Sequence, residues 1–340
     1  MAGVSPKSLL AGLLQVLEGT APLVILPHDN PDPDALASAA ALKFLVQELV
    51  GKEAVIAQGG IVGRAENRAM LTYLKIDLEP VDAVVFTDDT LVALVDTQPG
   101  RMNNSLPPGR IPTVVIDHHP AYDRYEGVPF LDLRENYGST STILTEYVRE
   151  SRLEVESKIA TALFYGIMAE TQDLGRESTP ADIAAAQFLY PYANKRRLGK
   201  IENARVPREY FAVFHEAIER AQIYGNVVVS VLPELQYPDM VAEVADFLLR
   251  LDEVEWACAI GRYKDHLHVS LRTTEREANA GEILQRVLGS RWAGGHDMIA
   301  GGRKRIAEAG AGAVARAADQ VQAQLLAALA VKASAGRPLV

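Results

Sequence analysis

The stretch His28–Asp34 carries one imidazole and three carboxylates, His28, Asp29, Asp32 and Asp34, in the spacing His-x-x-x-Asp-x-Asp. One carboxylate has a structural use, because Asp32 precedes Pro33 and is a natural helix N-cap with proline in the first turn. Capping does not account for the other acids or for the histidine. Carboxylates this close repel one another unless a cation offsets them, and imidazole mixed with carboxylate suits Mn²⁺, Zn²⁺ or Fe²⁺ better than Ca²⁺. The first chemistry to expect is therefore metal ligation.

Further groups of the same kind recur down the chain. Asp96 follows the apolar run LVALV, and Asp117, His118 and His119 follow VVI. The apolar segment FYGIMAETQDLG ends on Glu170 and Asp173. Taken singly, Asp96 is a turn residue and Glu170 a solvated helix end; together they repeat one pattern, an acid or imidazole at the end of a buried element. In the second half, HVSLRTT offers Ser270 and Arg272, and WAGGHDMIAGG offers Gly294, Gly295 and His296. The chain has no convincing Ser-His-Asp or Cys-His set. QGGIVGR lacks both the dinucleotide fingerprint and the P-loop lysine.

These residues need elements to position them. Residues 23–27, 54–57, 83–86, 91–95 and 113–116 read as short apolar strands, and 33–50, 66–74, 139–149, 156–169 and 181–189 read as helices. Strand–helix alternation predicts a parallel sheet covered on both faces, with ligands beyond the carboxyl ends of its strands. That is where the unusual residues fall. The polar, basic stretch 191–207 reads as a domain connection, followed by a helix over 208–222. Beyond it, 226–232, 255–262 and 266–272 read as strands, 280–288 as a helix, then a glycine-bearing turn and a long alanine-rich helix to about residue 331. The fold class expected is α/β, with a smaller α+β domain in the second half. The domains expected are 1–190, a linker at 191–224, and 225–340.

Composition narrows the partners. The chain has 340 residues, 48% hydrophobic and 23% charged, as ordinary soluble globular proteins do. No apolar run reaches the ~20 residues that span a bilayer, and the opening residues lack a secretory pattern, so neither membrane nor export is expected. One cysteine, Cys258, excludes an intrachain disulfide and suits a cytoplasmic location. The net charge of −10 argues against binding long duplex DNA. It does not argue against a small phosphorylated substrate, because clustered aspartates that hold divalent cations present a positive site.

The stretches HDNPDPDALAS, LVALVDTQPG, VVIDHHP and GIMAETQDLG, with VSLR and AGGHDMIAG after them, resemble the DHH phosphoesterase superfamily. More narrowly, they resemble its members with a C-terminal DHHA1 domain: the nanoRNase/pAp-phosphatase group, RecJ-type exonucleases and cyclic-dinucleotide phosphodiesterases. The stretches occur in the family's order from about residue 23 to 303. The resemblance implies one metal on His28, Asp32 and Asp96, and a second on Asp34, Asp96, His118 and the acid of the fourth motif. Asp96 would bridge the two ions, His119 would face the scissile phosphate, and Arg272, Gly294, Gly295 and His296 would contact substrate. The fourth motif usually has aspartate where Glu170 stands, so either Glu170 or the nearby Asp173 fills that role; register favours Glu170. Ala293 replaces the first of the family's three glycines before the histidine.

The activity this implies is hydrolysis of short oligonucleotides, of pAp-like nucleotides, or of both, by water activated between two Mn²⁺ ions, with Mg²⁺ or Co²⁺ as substitutes. Catalysis would centre on Asp96, His118 and His119. Two alternatives remain. One is an exopolyphosphatase or inorganic pyrophosphatase of the same superfamily, with Arg303, Lys304 and Arg305 as its phosphate clamp; the other is a nucleotide sensor without turnover. The oligomeric state is open, a homodimer included.

Overall fold

The computed structural model describes residues 5–340 except 102, 123–124, 176–177, 276, 296, 307–310 and 333–335. The chain divides into two compact units, Met1–Ala204 and Arg205–Val340. The stretch 191–224 is split by that division, with helix 195–202 in the first unit and helix 208–220 in the second.

In the first unit, α1 (Pro6–Val16) leads into β1 (Leu23–Pro27), α2 (Pro33–Val50), β2 (Ala54–Gln58), α3 (Ala65–Leu74) and the short β3 (Glu79–Pro80). Then follow β4 (Leu91–Val95), β5 (Val114–Asp117), β6 (Phe130–Leu133), α4 (Thr140–Ser151), α5 (Ser157–Glu170), α6 (Pro180–Leu189) and α7 (Lys195–Glu202). Among the described residues the strands form a six-stranded sheet in the order β3-β2-β1-β4-β5-β6, and every pairing is parallel. All five residues of β1 are buried, as a central strand covered on both faces requires.

The two faces are covered differently. Leu23, Ile25, Ala93, Val95, Val114 and Ile116 pack with the helices into the larger core. Val24, Leu26, Val92, Leu94 and Val115 pack instead against Val81, Val84, Phe86, Leu106 and Val128, which lie on connecting segments. Right-handed crossovers account for this. The chain steps from β1 to β3 in one direction with helices between, and from β4 to β6 in the other with loops between.

One expected strand does not form. Residues 81–83 make a 3₁₀ turn and 84–86 run extended without ladder partners. Val84 and Phe86 face the smaller core, but Val85 is 80% exposed and Thr87–Asp89 bend the chain away. β6 was not expected; its FLDL pattern carries a buried acid that masks the alternation.

The second unit holds α8 (Arg208–Arg220), β7 (Gln222–Tyr224), β8 (Val227–Leu232), α9 (Met240–Leu248), β9 (Trp256–Tyr263), β10 (His266–Thr273), α10 (Ala280–Leu288), β11 (Ala293–Gly295), β12 (Ile299–Arg305), α11 (Ala311–Ala328) and β13 (Arg337–Pro338). Its described strands form a seven-stranded mixed sheet, β11-β12-β10-β9-β8-β7-β13, in which β8 and β9 pair in parallel and the other pairs are antiparallel. The expected glycine turn is instead the hairpin β11–β12. Its four glycines and its Arg-Lys-Arg run carry no strand-like apolar pattern, yet Gly302 is needed, because a Cβ there would lie 2.9 Å from the backbone oxygen of Trp292. Among the described residues no helix is long and apolar enough to cross a membrane.

Candidate metal centre and active site

The strand order reverses direction between β1 and β4, and the unusual residues gather at the carboxyl ends of β1, β4 and β5. That is the expected place for a ligand in an open parallel sheet. His28 follows β1. Asp32 caps α2, its Oδ1 accepting from the Ala35 amide at 3.0 Å. Asp34, in the first turn of α2, is 1% exposed and is held by a different helix, as the Thr140 and Ser141 amides at the start of α4 donate to its two oxygens at 2.8 and 2.7 Å. A carboxylate at a helix N-terminus also sits favourably on the helix dipole.

Asp96 directly follows β4 in the left-handed region, with φ of 58°, which costs a non-glycine residue about 1 kcal/mol or more. Its amide donates to Ile116 O at 2.9 Å, and Thr140 Oγ1 donates to its Oδ1 at 2.9 Å. The turn aims a buried carboxylate between two histidines: His28 Nε2 lies 3.6 Å from Asp96 Oδ2, and His118 Nε2 lies 3.6 Å from Asp96 Oδ1. His28 Nε2 is also 3.5 Å from Asp32 Oδ2, and His118 Nε2 is 4.0 Å from Asp34 Oδ2.

The other ring nitrogens fix the imidazoles. His28 Nδ1 is 3.0 Å from Asp29 O and His118 Nδ1 is 3.1 Å from Tyr137 O. A backbone carbonyl accepts only from N–H, so both rings turn an Nε2 lone pair inward when neutral. Among the described residues His118 Nε2 is buried with no hydrogen-bond partner. A buried polar atom without a partner is costly, and this one faces carboxylates just beyond hydrogen-bond range. His28, Asp32 and Asp96 bring ligand atoms within 4.8 Å of one another, and so do Asp96, His118 and His119. Both sets fit a divalent cation by donor type and spacing.

The electrostatics agree. Burial and the neighbouring Asp34 and Asp32 raise the Asp96 carboxyl well above its ordinary value. Burial and the field of Asp32 push Glu170, the last residue of α5, up to about 8, against the pull of His118. Burial opposes charge on His28 and His118, but the facing carboxylates raise both imidazoles. Asp32 moves the other way: burial is outweighed by His28, and Arg64 adds to the pull. Such a cluster retains protons unless cations replace them. Glu170 thus shares the field of the other acids, whereas Asp173 lies exposed in the turn beyond α5. Gly166 makes that approach of α5 feasible, because a Cβ there would lie 2.4 Å from Ser141 Oγ and 3.2 Å from Pro33 O.

Asp117 received no role from the sequence, although it stands in the triplet. Its Oδ1 is 2.8 Å from His119 Nδ1 and its Oδ2 accepts from Gln98 Nε2 at 2.6 Å. Burial is overcome by these partners, and its carboxyl falls to about 2. Gln98, Thr140 and Ser141 were missed as well; each contacts an acid of the cluster that is distant in sequence.

The substrate candidates lie in the second unit. Arg272, 7% exposed, donates to Asp246 Oδ1 at 2.5 Å and Ser270 Oγ at 2.7 Å, so its guanidinium is set by its own sheet. Gly294 and Gly295 lie on β11, where a Cβ on Gly295 would meet Ile299 O at 2.1 Å. His296 lies outside the described residues.

Residues 22–167 match the model of the DHH family, N-terminal domain, and residues 225–328 match that of the DHHA1 domain. The chain belongs to the DHH superfamily. This DHH chain is 36% identical over 286 residues to the uncharacterized protein MJ1633 of Methanocaldococcus jannaschii, covering 83% of this chain and 58% of that protein. It is 25% identical to the probable bifunctional oligoribonuclease and PAP phosphatase NrnA of Streptococcus mutans, over 82% of this chain and 88% of that one. The crystal structure of an exopolyphosphatase-related protein from Bacteroides fragilis superposes with a TM-score of 0.71 at 14% identity, covering 97% and 99% of the two chains. That likeness is one of fold.

Proposed function

We propose that this DHH protein is a divalent-cation-dependent phosphoesterase that hydrolyses short oligonucleotides, pAp-like nucleotides, or both. The observation that carries it is the unpartnered Nε2 of buried His118, facing Asp34 and Asp96 at the switch point of the sheet. His28, Asp32 and Asp96 would hold one cation, and Asp34, Asp96, His118 and Glu170 a second, with Mn²⁺ the ion best suited to this donor set. Bound there, the cations supply Lewis-acid activation of water and neutralise charge at phosphorus.

The side chains do the rest. Asp96 and Asp34 are fixed by Thr140 and Ser141, so the acids present their free lone pairs without rearranging. His119, oriented by Asp117, stands over the Asp96 carboxylate, with Nδ1 3.7 Å from Oδ1, and would meet the charge that develops on the phosphoryl oxygens. Arg272, held by Asp246 and Ser270, with Gly294, Gly295 and His296, would bind a substrate phosphate or base. The match to NrnA over both units supports a nucleotide substrate.

The test is a panel of a dinucleotide, pAp, pyrophosphate and polyphosphate, each with Mn²⁺, Mg²⁺ or Co²⁺, with products separated chromatographically. Turnover of the first two supports the proposal. Turnover confined to pyrophosphate or polyphosphate replaces it with a phosphoanhydride hydrolase, and nucleotide binding without turnover replaces it with a sensor.

A further inference from the structure

A cavity of about 660 Å³ lies in the first unit beside the carboxyl end of β2, within the roughly 300–1,000 Å³ range of small-molecule sites. It is not formed by the metal-site residues. Gln58, the last residue of β2, lines it, and Gln58 Oε1 is buried with no hydrogen-bond partner among the described residues. Half-buried Ile61, Val62, Leu71 and Leu78 make apolar walls. Asp77 and Glu79 stand in its lining, as does Arg68, whose Nη1 donates to Gly63 O.

Each feature narrows the occupant. Apolar walls ask for a flat or aliphatic body, and a buried lone acceptor asks for an N–H or O–H donor. Two acids against one arginine leave the lining net negative, which disfavours a phosphate here, so the phosphorylated end of a ligand belongs elsewhere. A nucleobase meets all three demands: it has apolar faces, an edge of N–H donors, and no charge.

Position supplies the link to the site. Gly59 O accepts from the Asn30 amide at 3.1 Å, and the Ile61 amide donates to Asn30 Oδ1 at 2.9 Å. Asn67 Nδ2 donates to Pro31 O at 3.2 Å. The cavity wall is thereby bonded to the loop that carries His28 and Asp32. Gly59 and Gly60 leave that loop room, since a Cβ on Gly59 would lie 1.9 Å from Asp29 Oδ1 and one on Gly60 2.3 Å from Asn30 Oδ1.

We propose that this cavity is a nucleobase subsite in which the Gln58 amide pairs with the donor edge of the base, while the nucleotide's phosphate lies toward the His28–Asp34 loop. With the phosphoesterase reading taken as given, the base is that of the substrate.

Binding and turnover are tested separately. Calorimetry on the metal-free full chain uses adenosine 5′-monophosphate, with ribose 5-phosphate as the base-free control. The nucleotide is expected to bind at least about tenfold more tightly, and Gln58→Leu to weaken it about tenfold, as loss of a hydrogen bond from a buried partner does. Val62→Trp, which fills the cavity from a loop, gives a second variant; thermal unfolding confirms that each is folded. With Mn²⁺, the loss of kcat/KM in Gln58→Leu should be about fivefold or more greater for a dinucleotide than for bis(p-nitrophenyl) phosphate. Equal affinity for the two ligands, or full nucleotide affinity in both variants, overturns the subsite. Absence of hydrolysis in the wild type would instead overturn the phosphoesterase reading, and the calorimetry would still decide the subsite.

Discussion

Asp117 Oδ1 sits 2.8 Å from His119 Nδ1, and the same oxygen accepts the His119 amide at 3.2 Å, so one buried carboxylate fixes both the ring and the backbone of the second histidine in the triplet. Gln98 holds the other oxygen. Asp117 is therefore a positioning residue whose removal should unsettle His119 without removing a cation ligand. Asp117→Asn is expected to lower kcat about ten- to a hundredfold, with manganese affinity by calorimetry within about threefold of wild type. A collapse of metal affinity would make Asp117 a ligand instead.

The titration of the acids predicts how metal binding depends on pH. In the metal-free protein Glu170 protonates near 8, and Asp96 lies well above its ordinary value. A cation must displace those protons. Apparent Mn²⁺ affinity should therefore rise with pH through about 8. Stability runs oppositely. Groups whose folded values are raised bind protons more tightly in the native state, so metal-free stability falls as pH rises from the unfolded carboxylate range through about 8. The raised imidazoles of His28 and His118 add to that fall above their ordinary 6.5. Thermal unfolding from pH 6 to 9 should show a declining Tm without metal and a flatter one with Mn²⁺. Glu170→Gln should reduce both slopes; unaltered slopes would place Glu170 outside the centre.

The strand-end acids were legible because one rule places them. A buried apolar run that stops at Asp96 or at Asp117–His119 tells both where the strand ends and that its polar residues share one edge of a parallel sheet. What holds them was not legible. The amide that fixes Asp34 comes from Thr140, 106 positions away, and no local pattern marks Thr140 or Ser141 as anything but the start of a helix. The hairpin β11–β12 stayed hidden because glycine and arginine carry no burial signal. By contrast α9 was readable in principle: Val241, Val244, Ala245 and Leu248 repeat at helical spacing after Pro238 and Asp239.

Gly166 faces α2 and α4, one turn before Glu170. Alanine in a helix normally gains about 1 kcal/mol over glycine. Here its Cβ would press on Ser141 Oγ at 2.4 Å, Ala37 Cβ at 3.1 Å and Pro33 O at 3.2 Å, and the Pro33 carbonyl belongs to the first turn of α2. Overpacking of this kind costs about 1–3 kcal/mol, enough to reverse the propensity gain. Gly166→Ala should lower the urea midpoint, and Gly166→Val should lower it further. Pairing Gly166→Ala with Ser141→Ala removes the nearest clash and should recover part of the loss, which a double-mutant cycle measures. Unchanged stability in Gly166→Ala would mean that α5 can withdraw freely from α2.

Asp182, fully buried in the first turn of α6, ties two helix starts together. Its carboxylate accepts from the Thr179 amide and hydroxyl, each at 2.7 Å, and reaches across to the Gly138 amide at 2.9 Å and Thr142 Oγ1 at 2.5 Å, at the start of α4. That same start presents the Thr140 and Ser141 amides to Asp34. Losing the carboxylate strands several buried donors at once, so Asp182→Ala should cost about 3 kcal/mol in denaturant unfolding. Asp182→Asn keeps one acceptor and should cost less. Because Asp34 depends on the same turn of α4, the folded Asp182→Ala protein should also bind Mn²⁺ more weakly than wild type, although Asp182 is not among the cation ligands. Weaker unfolding with wild-type metal affinity would show that the amides hold Asp34 without help from α6, and would separate the stability of this unit from the order of its site.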